Sequence, residues 1–174
     1  MKTSLRDYWN IIYYNYEQIR FAEIKSSVIL SVYSLFFTLA YTIDILDEEN
    51  VYDLQLNSIG DYVVVLLIFP TLYFTIASFV SCVKCFLPRF KKSSLNSPLF
   101  FGDVAMGYKD FESYHEDLNQ LLADPEKYKK HLSHMVYATS TIAFTKFRHV
   151  NAAIKSLIKS IVCFVVFLCL LYIL

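Results

Sequence analysis

Three stretches of this chain carry no charged side chain: residues 26–43, 62–83 and 160–174, of 18, 22 and 15 residues. A helix rises about 1.5 Å per residue, so a hydrocarbon slab about 30 Å thick takes roughly 20 residues. The second stretch suffices alone. The first suffices once Ile45 and Leu46 extend it past Asp44. The third needs the mostly apolar residues 152–158 in front of it, with Lys155 and Lys159 snorkelling outward. The reading is an all-α integral membrane protein with three transmembrane helices, at 26–46, 62–83 and 155–174.

Composition agrees. Of 174 residues 56% are hydrophobic and 18% charged, where a soluble domain carries about 45–50% apolar and about 25% charged residues. The formal net charge is zero, which argues against a nucleic-acid duplex as partner. The N-terminal segment shows neither the short apolar core nor the small-residue cleavage site of a secretory signal, so the first span reads as permanent.

Lys and Arg set the expected orientation. Residues 44–61 hold six acidic side chains (Asp44, Asp47, Glu48, Glu49, Asp53 and Asp61) and neither Lys nor Arg. Twelve Lys and Arg lie between Lys84 and Lys159, and Lys2, Arg6, Arg20 and Lys25 precede the first span. The N terminus and the middle segment are then expected in the cytoplasm, with the acidic hairpin 47–61 and the C terminus on the opposite side of the membrane.

No Gly or Pro occurs before Gly60, and Tyr8, Ile12, Tyr16, Ile19 and Phe21 or Ala22 recur at roughly helical spacing. An amphipathic helix over 1–25 is therefore expected to run on into the first span. Asp124-Pro125-Glu126 has the order of an N-cap, a first-turn proline and an acidic first turn. No Gly or Pro follows, which predicts a helix of nearly 50 residues whose last third lies in lipid. Residues 86–103 read as a Pro-, Ser- and Lys-rich connector and 109–122 as a shorter helix. Pro70 is an expected kink in the second span. The region 84–154 is too small for a large core of its own, and is expected to form a helical bundle continuous with the spans.

Cys82 and Cys85 have the spacing of a zinc or redox pair, and His131 and His134 could complete four ligands. On a straight helix, however, His134 lies about 37 Å before Lys159, far from the membrane edge where the cysteines sit. Packing or surface roles are the reading for all four. Cys163 and Cys169 read as apolar filling, and no disulfide is expected. Glu112, His115, Glu116 and Asp117 read as a solvated helix face. No nucleophile elbow, phosphate-cradling loop or metalloprotease motif occurs, so neither catalytic residues, a metal nor a cofactor is expected. The charge-free runs hold no ionisable residue at mid-depth, which argues against a proton-coupled transporter. They do hold a stripe of small hydroxyls, Ser27, Ser31, Ser34 and Thr38. The stripe is either packing glue within one protomer or an oligomer contact or pore lining.

Three motifs carry a resemblance. FAEIKSS (21–27), SPLFFGD (97–103) and ATSTIAFTKFRHVNAA (138–153) are similar, in this order, to motifs of the Pycsar membrane-effector family. In that family an A-D-x-K-A motif leads into the first span, an apolar-Phe-Phe-Gly connector follows the second, and a Lys-aromatic pair precedes the last. Here Glu23 and Ser26 stand where Asp and Ala are usual. Fused members carry an N-terminal cyclic-nucleotide-binding domain, for which the 25 or so residues before the first span are too few, so the standalone form is the expectation.

The resemblance implies an anti-phage effector that assembles on a signal and breaches the membrane, killing or arresting the infected cell. On that reading Glu23, Lys25, Lys84, Lys155 and Lys159 form an interfacial belt that gates the spans. Arg89, Lys91, Lys92, Lys146 and Arg148 are the cations available to a nucleotide phosphate, or simply the positive bias of a cytoplasmic face. Expected partners are membrane lipids, further copies of the chain, and a cyclic nucleotide or a soluble signalling protein. The alternative is a non-catalytic anchor that docks a soluble signalling partner.

Overall fold

The computed structural model describes residues 4–46, 59–87 and 95–173. All regular structure among them is helical: α1 (Leu5–Leu46), α2 (Ile59–Phe86), α3 (Phe101–Gly107), α4 (Phe111–Ala123) and α5 (Pro125–Ile173). Three of these, α1, α2 and α5, are long and apolar enough to cross a membrane. Residues such as Leu35, Leu66, Phe69 and Tyr73 are exposed there, as on a helix whose outer face meets lipid rather than water. The acidic hairpin falls largely outside the described residues.

Both expected long helices form. α1 runs unbroken for 42 residues and α5 for 49. The start of α5 is fixed by Asp124, whose Oδ1 accepts the backbone N–H groups of Glu126 and Lys127 at 3.0 and 3.1 Å. α2 continues through Pro70. α4 begins two residues later than expected, because Asp110 caps it by accepting from the Ser113 N–H at 2.8 Å.

The chain divides into two compact units. One comprises Met1–Phe21 and Leu87–Thr145. Its core joins Ile12 of α1 to Leu132 and Met135 of α5 and to Phe100, with Trp9, Leu99 and Tyr128 around them. Asn15 is buried among these side chains and donates from Nδ2 to Thr139 Oγ1 at 2.9 Å and to Ser140 Oγ at 2.8 Å. The SPLFFGD stretch is folded tightly here. The Asp103 carboxylate accepts the Ser97 N–H at 3.1 Å, and Ser97 Oγ and His131 Nδ1 share a hydrogen bond at 2.9 Å. Part of the expected connector is thus the start of α3, a two-turn helix that the Ser97 turn launches. Burial is the main cause holding the His131 imidazole below its ordinary pKa, with Lys127 beside it.

The other unit comprises Ala22–Phe86 and Lys146–Leu174, a bundle of the three long helices. Its core is Ala22, Ile29 and Tyr33 of α1, Cys82 and Cys85 of α2, and Val150 and Ala153 of α5. Small side chains at Ala22, Cys82, Cys85 and Ala153 let the backbones approach closely, as helix packing in lipid favours.

Candidate functional site

The three-helix unit begins at a buried charge. The Lys146 side chain, only 7% exposed, places its ammonium 2.5 Å from Glu23 Oε1. It also donates to the Cys85 carbonyl oxygen at 2.7 Å. Cys85 stands in the last turn of α2, where carbonyls lack intrahelical donors and the helix dipole favours a cation. One ammonium therefore joins α1, α2 and α5. Next to it, Lys25 Nζ lies 5.6 Å from the centroid of the Phe147 ring, within cation–π range. Glu23 meets Lys146 and Lys25 meets Phe147, so the two sequence motifs at these positions pair residue for residue.

Further along the bundle, hydroxyls replace charges. Ser78 Oγ donates to the Ala153 carbonyl at 2.9 Å. Thr75 and Ser160 share a hydrogen bond at 2.6 Å, and Ser160 Oγ lies 3.4 Å from the Thr71 carbonyl. These contacts fix the register of α5 against α2. An apolar cleft of roughly 270 Å³ opens beyond them, walled by Phe36, Phe37, Phe164 and Phe167 with Tyr33 at one side.

Of the expected belt, Glu23 and Lys25 come together with Lys146 and Phe147. Lys84 and Lys155 are exposed. Lys159 is exposed too, with Nζ 5.1 Å from the centroid of the Phe74 ring. Of the expected phosphate cations, Arg148 is exposed. Lys146 is buried and already held by a carboxylate and a carbonyl, so it offers no open charge in this conformation. Arg89, Lys91 and Lys92 lie outside the described residues.

Ser27, Ser31, Ser34 and Thr38 are all exposed on α1. Ser27, Ser31 and Thr38 donate to their own helix, to the carbonyls of Glu23, Ser27 and Ser34 at 3.2, 3.1 and 2.9 Å. The stripe therefore does not glue this protomer together. Cys82 and Cys85 are core residues of the three-helix unit, while His131 pairs with Ser97 in the other. Sequence reasoning noted Ser78 as a small hydroxyl of the second span but missed its partner on α5, the Cys85 carbonyl and Ser160. A backbone acceptor leaves no residue signature, and a lone serine in an apolar run reads as ordinary.

The profile of the Pycsar effector protein domain matches residues 7–173, nearly the whole chain. No curated protein and no solved structure matches significantly.

Proposed function

The chain belongs to the Pycsar effector family, and from this premise we propose that it is the executing component of a bacterial anti-phage defence. On this reading it lies in the inner membrane with its N terminus in the cytoplasm and its C terminus in the periplasm. A cyclic nucleotide or a partner protein delivers a signal, copies oligomerise or rearrange, the membrane loses integrity and infection aborts. The chain catalyses no reaction.

The observation that carries the reading beyond the family is the Glu23–Lys146–Cys85 junction. A buried ion pair is costly to half-break and cheap to keep whole, which suits a contact that holds a harmful assembly quiescent. α1 and α5 each contribute residues to both units. A signal received on α5, at Arg148 for example, would reach the junction along that helix. Engagement of Lys146 itself by a phosphate would require its release from Glu23.

The test is expression of the chain in bacteria together with the 3′,5′-cyclic mononucleotides, read by a membrane-potential dye and growth. Depolarisation within the time of growth arrest is expected. Unchanged potential and growth under every nucleotide, and also in phage-infected cells that hold the native signalling partner, would overturn the reading.

A second reading, a non-catalytic anchor for a soluble signalling partner, is favoured by the exposed Tyr13, Tyr14, Tyr137 and Phe144 of the unit built from 1–21 and 87–145. Apolar side chains in such a place mark protein contacts. Harmless expression and a soluble protein retained after detergent extraction would favour the anchor.

A further inference from the structure

The charges flanking the first two spans locate the slab without reference to α5. From Lys25 to Asp44 α1 climbs nineteen residues, about 29 Å, and from Lys84 to Asp61 α2 climbs twenty-three, about 35 Å. Both match a hydrocarbon thickness of about 30 Å. Contacts then place α5 within that frame. Lys146 meets Glu23 and Cys85, at the level of Lys25 and Lys84. Ala153 meets Ser78, and Ser160 meets Thr75 and Thr71.

Phe74 stands ten residues from Lys84 and thirteen from Asp61, about 15 and 20 Å along α2. The Lys159 ammonium lies over its ring. That charge is therefore near the middle of the slab. Lys155, one turn earlier, is about 6 Å nearer the Lys25/Lys84 end. The third span thus begins close to Phe147 rather than at 155, and two lysines expected at the interface are inside it.

Both lysines are exposed, Lys159 at the edge of the bundle with its ammonium over the Phe74 ring. Among the described residues neither Lys155 nor Lys159 forms an ion pair with a carboxylate. An ammonium at this depth is tolerated where it faces water or protein, not lipid tails. The other outward residues of this part of α5, Ile158, Val162, Val165 and Val166, supply no counter-charge.

We propose that Lys155 and Lys159 line a water-filled passage between assembled copies and make it selective for small inorganic anions. The inference rests on the membrane-breaching reading above and adds its charge preference. Positive side chains at a constriction concentrate anions and repel cations.

The experiment uses the full chain purified into vesicles of uncharged phosphatidylcholine, given the 3′,5′-cyclic mononucleotides, with chloride and potassium fluxes measured separately. Wild-type protein is expected to pass chloride in preference to potassium by at least several-fold. Lys155→Gln with Lys159→Gln should bring the ratio close to one, Lys159→Glu should invert it, and Lys159→Arg should keep it. Circular dichroism and resistance to carbonate extraction identify variants that have folded and inserted, and Lys159→Gln alone serves where the charge reversal has not.

A leak with the same selectivity in every variant overturns the proposal and leaves the effector reading standing. Selectivity that depends on Lys159 only when anionic lipid is included assigns the lysines to headgroup phosphates and also overturns it. No leak from the wild-type chain under any nucleotide removes the effector reading, and this inference with it.

Discussion

Glu23 and Lys146 are 123 residues apart in sequence and in contact across the three-helix bundle, and their environments differ. The Lys146 side chain is 7% exposed and that of Glu23 40%. The cation is the partner that cannot retreat to water, so the two truncations are unequal. Glu23→Ala leaves a buried ammonium with one carbonyl for company. Removing one partner of a fully buried pair costs about 3–5 kcal/mol, and the partial exposure of Glu23 reduces this to about 1–3 kcal/mol. Lys146→Met, which fills the same space without charge, should cost less than Glu23→Ala. Unfolding of the purified protein in detergent, followed by circular dichroism, checks the order.

Asn15 holds α1 against α5 in the other unit, through Thr139 and Ser140. Its loss is less severe than the number of hydrogen bonds suggests, because the Thr139 hydroxyl also donates to the Met135 carbonyl at 2.9 Å and keeps a partner. Asn15→Ala should therefore destabilise by about 1 kcal/mol, the net worth of one buried hydrogen bond. Asn15→Leu should recover part of that through apolar contact with Val136. The measurement is the shift of the denaturation midpoint at unchanged slope.

The long elements were legible because their signals are local. A capped start at Asp124, a chain free of breakers and a charge-free run give α5 to within a residue of its observed ends. The site was legible only as separate parts. FAEIKSS and the Lys146-Phe147 pair were visible as motifs, but the crossing of Glu23 to Lys146 and Lys25 to Phe147 depends on helix register, which one sequence does not display. The register of α5 against α2 escaped for the same reason. Counting charge-free residues treats each span alone, whereas Ser160 against Thr75 shows that α5 is shifted relative to α2. α3 was missed because seven residues are too few for a periodic pattern.

The surroundings of His131 give a pH dependence with a definite sign. Burial is the main cause lowering its pKa, aided by Lys127, His134 and Lys130 on its own helix and opposed by Asp117 of α4. Ser97 Oγ faces the ring, and Asp103 is bonded to the Ser97 N–H. In the unfolded chain the imidazole titrates near 6.5. The folded form binds the proton less readily, so stability is complete above about pH 6.5 and falls as pH drops through the lower folded value. His131→Asn should flatten the profile below about pH 6.5. Melting temperature against pH, for the two proteins, tests it.

The stripe of Ser27, Ser31, Ser34 and Thr38 separates folding from assembly. Three of its hydroxyls donate to their own helix, and all four residues are exposed, so folding does not require the stripe. Ser31→Ala and Thr38→Val should each leave stability within about 0.5 kcal/mol of wild type. Their small size matters if a second copy packs there, because close backbone approach is what small residues permit between helices in lipid. Ser31→Leu with Thr38→Leu should therefore leave the melting temperature of the protomer nearly unchanged while lowering the yield of crosslinked oligomer several-fold and abolishing depolarisation. Retention of both crosslinking and depolarisation in the double variant would show that this face of α1 meets lipid alone, and that copies join through another surface.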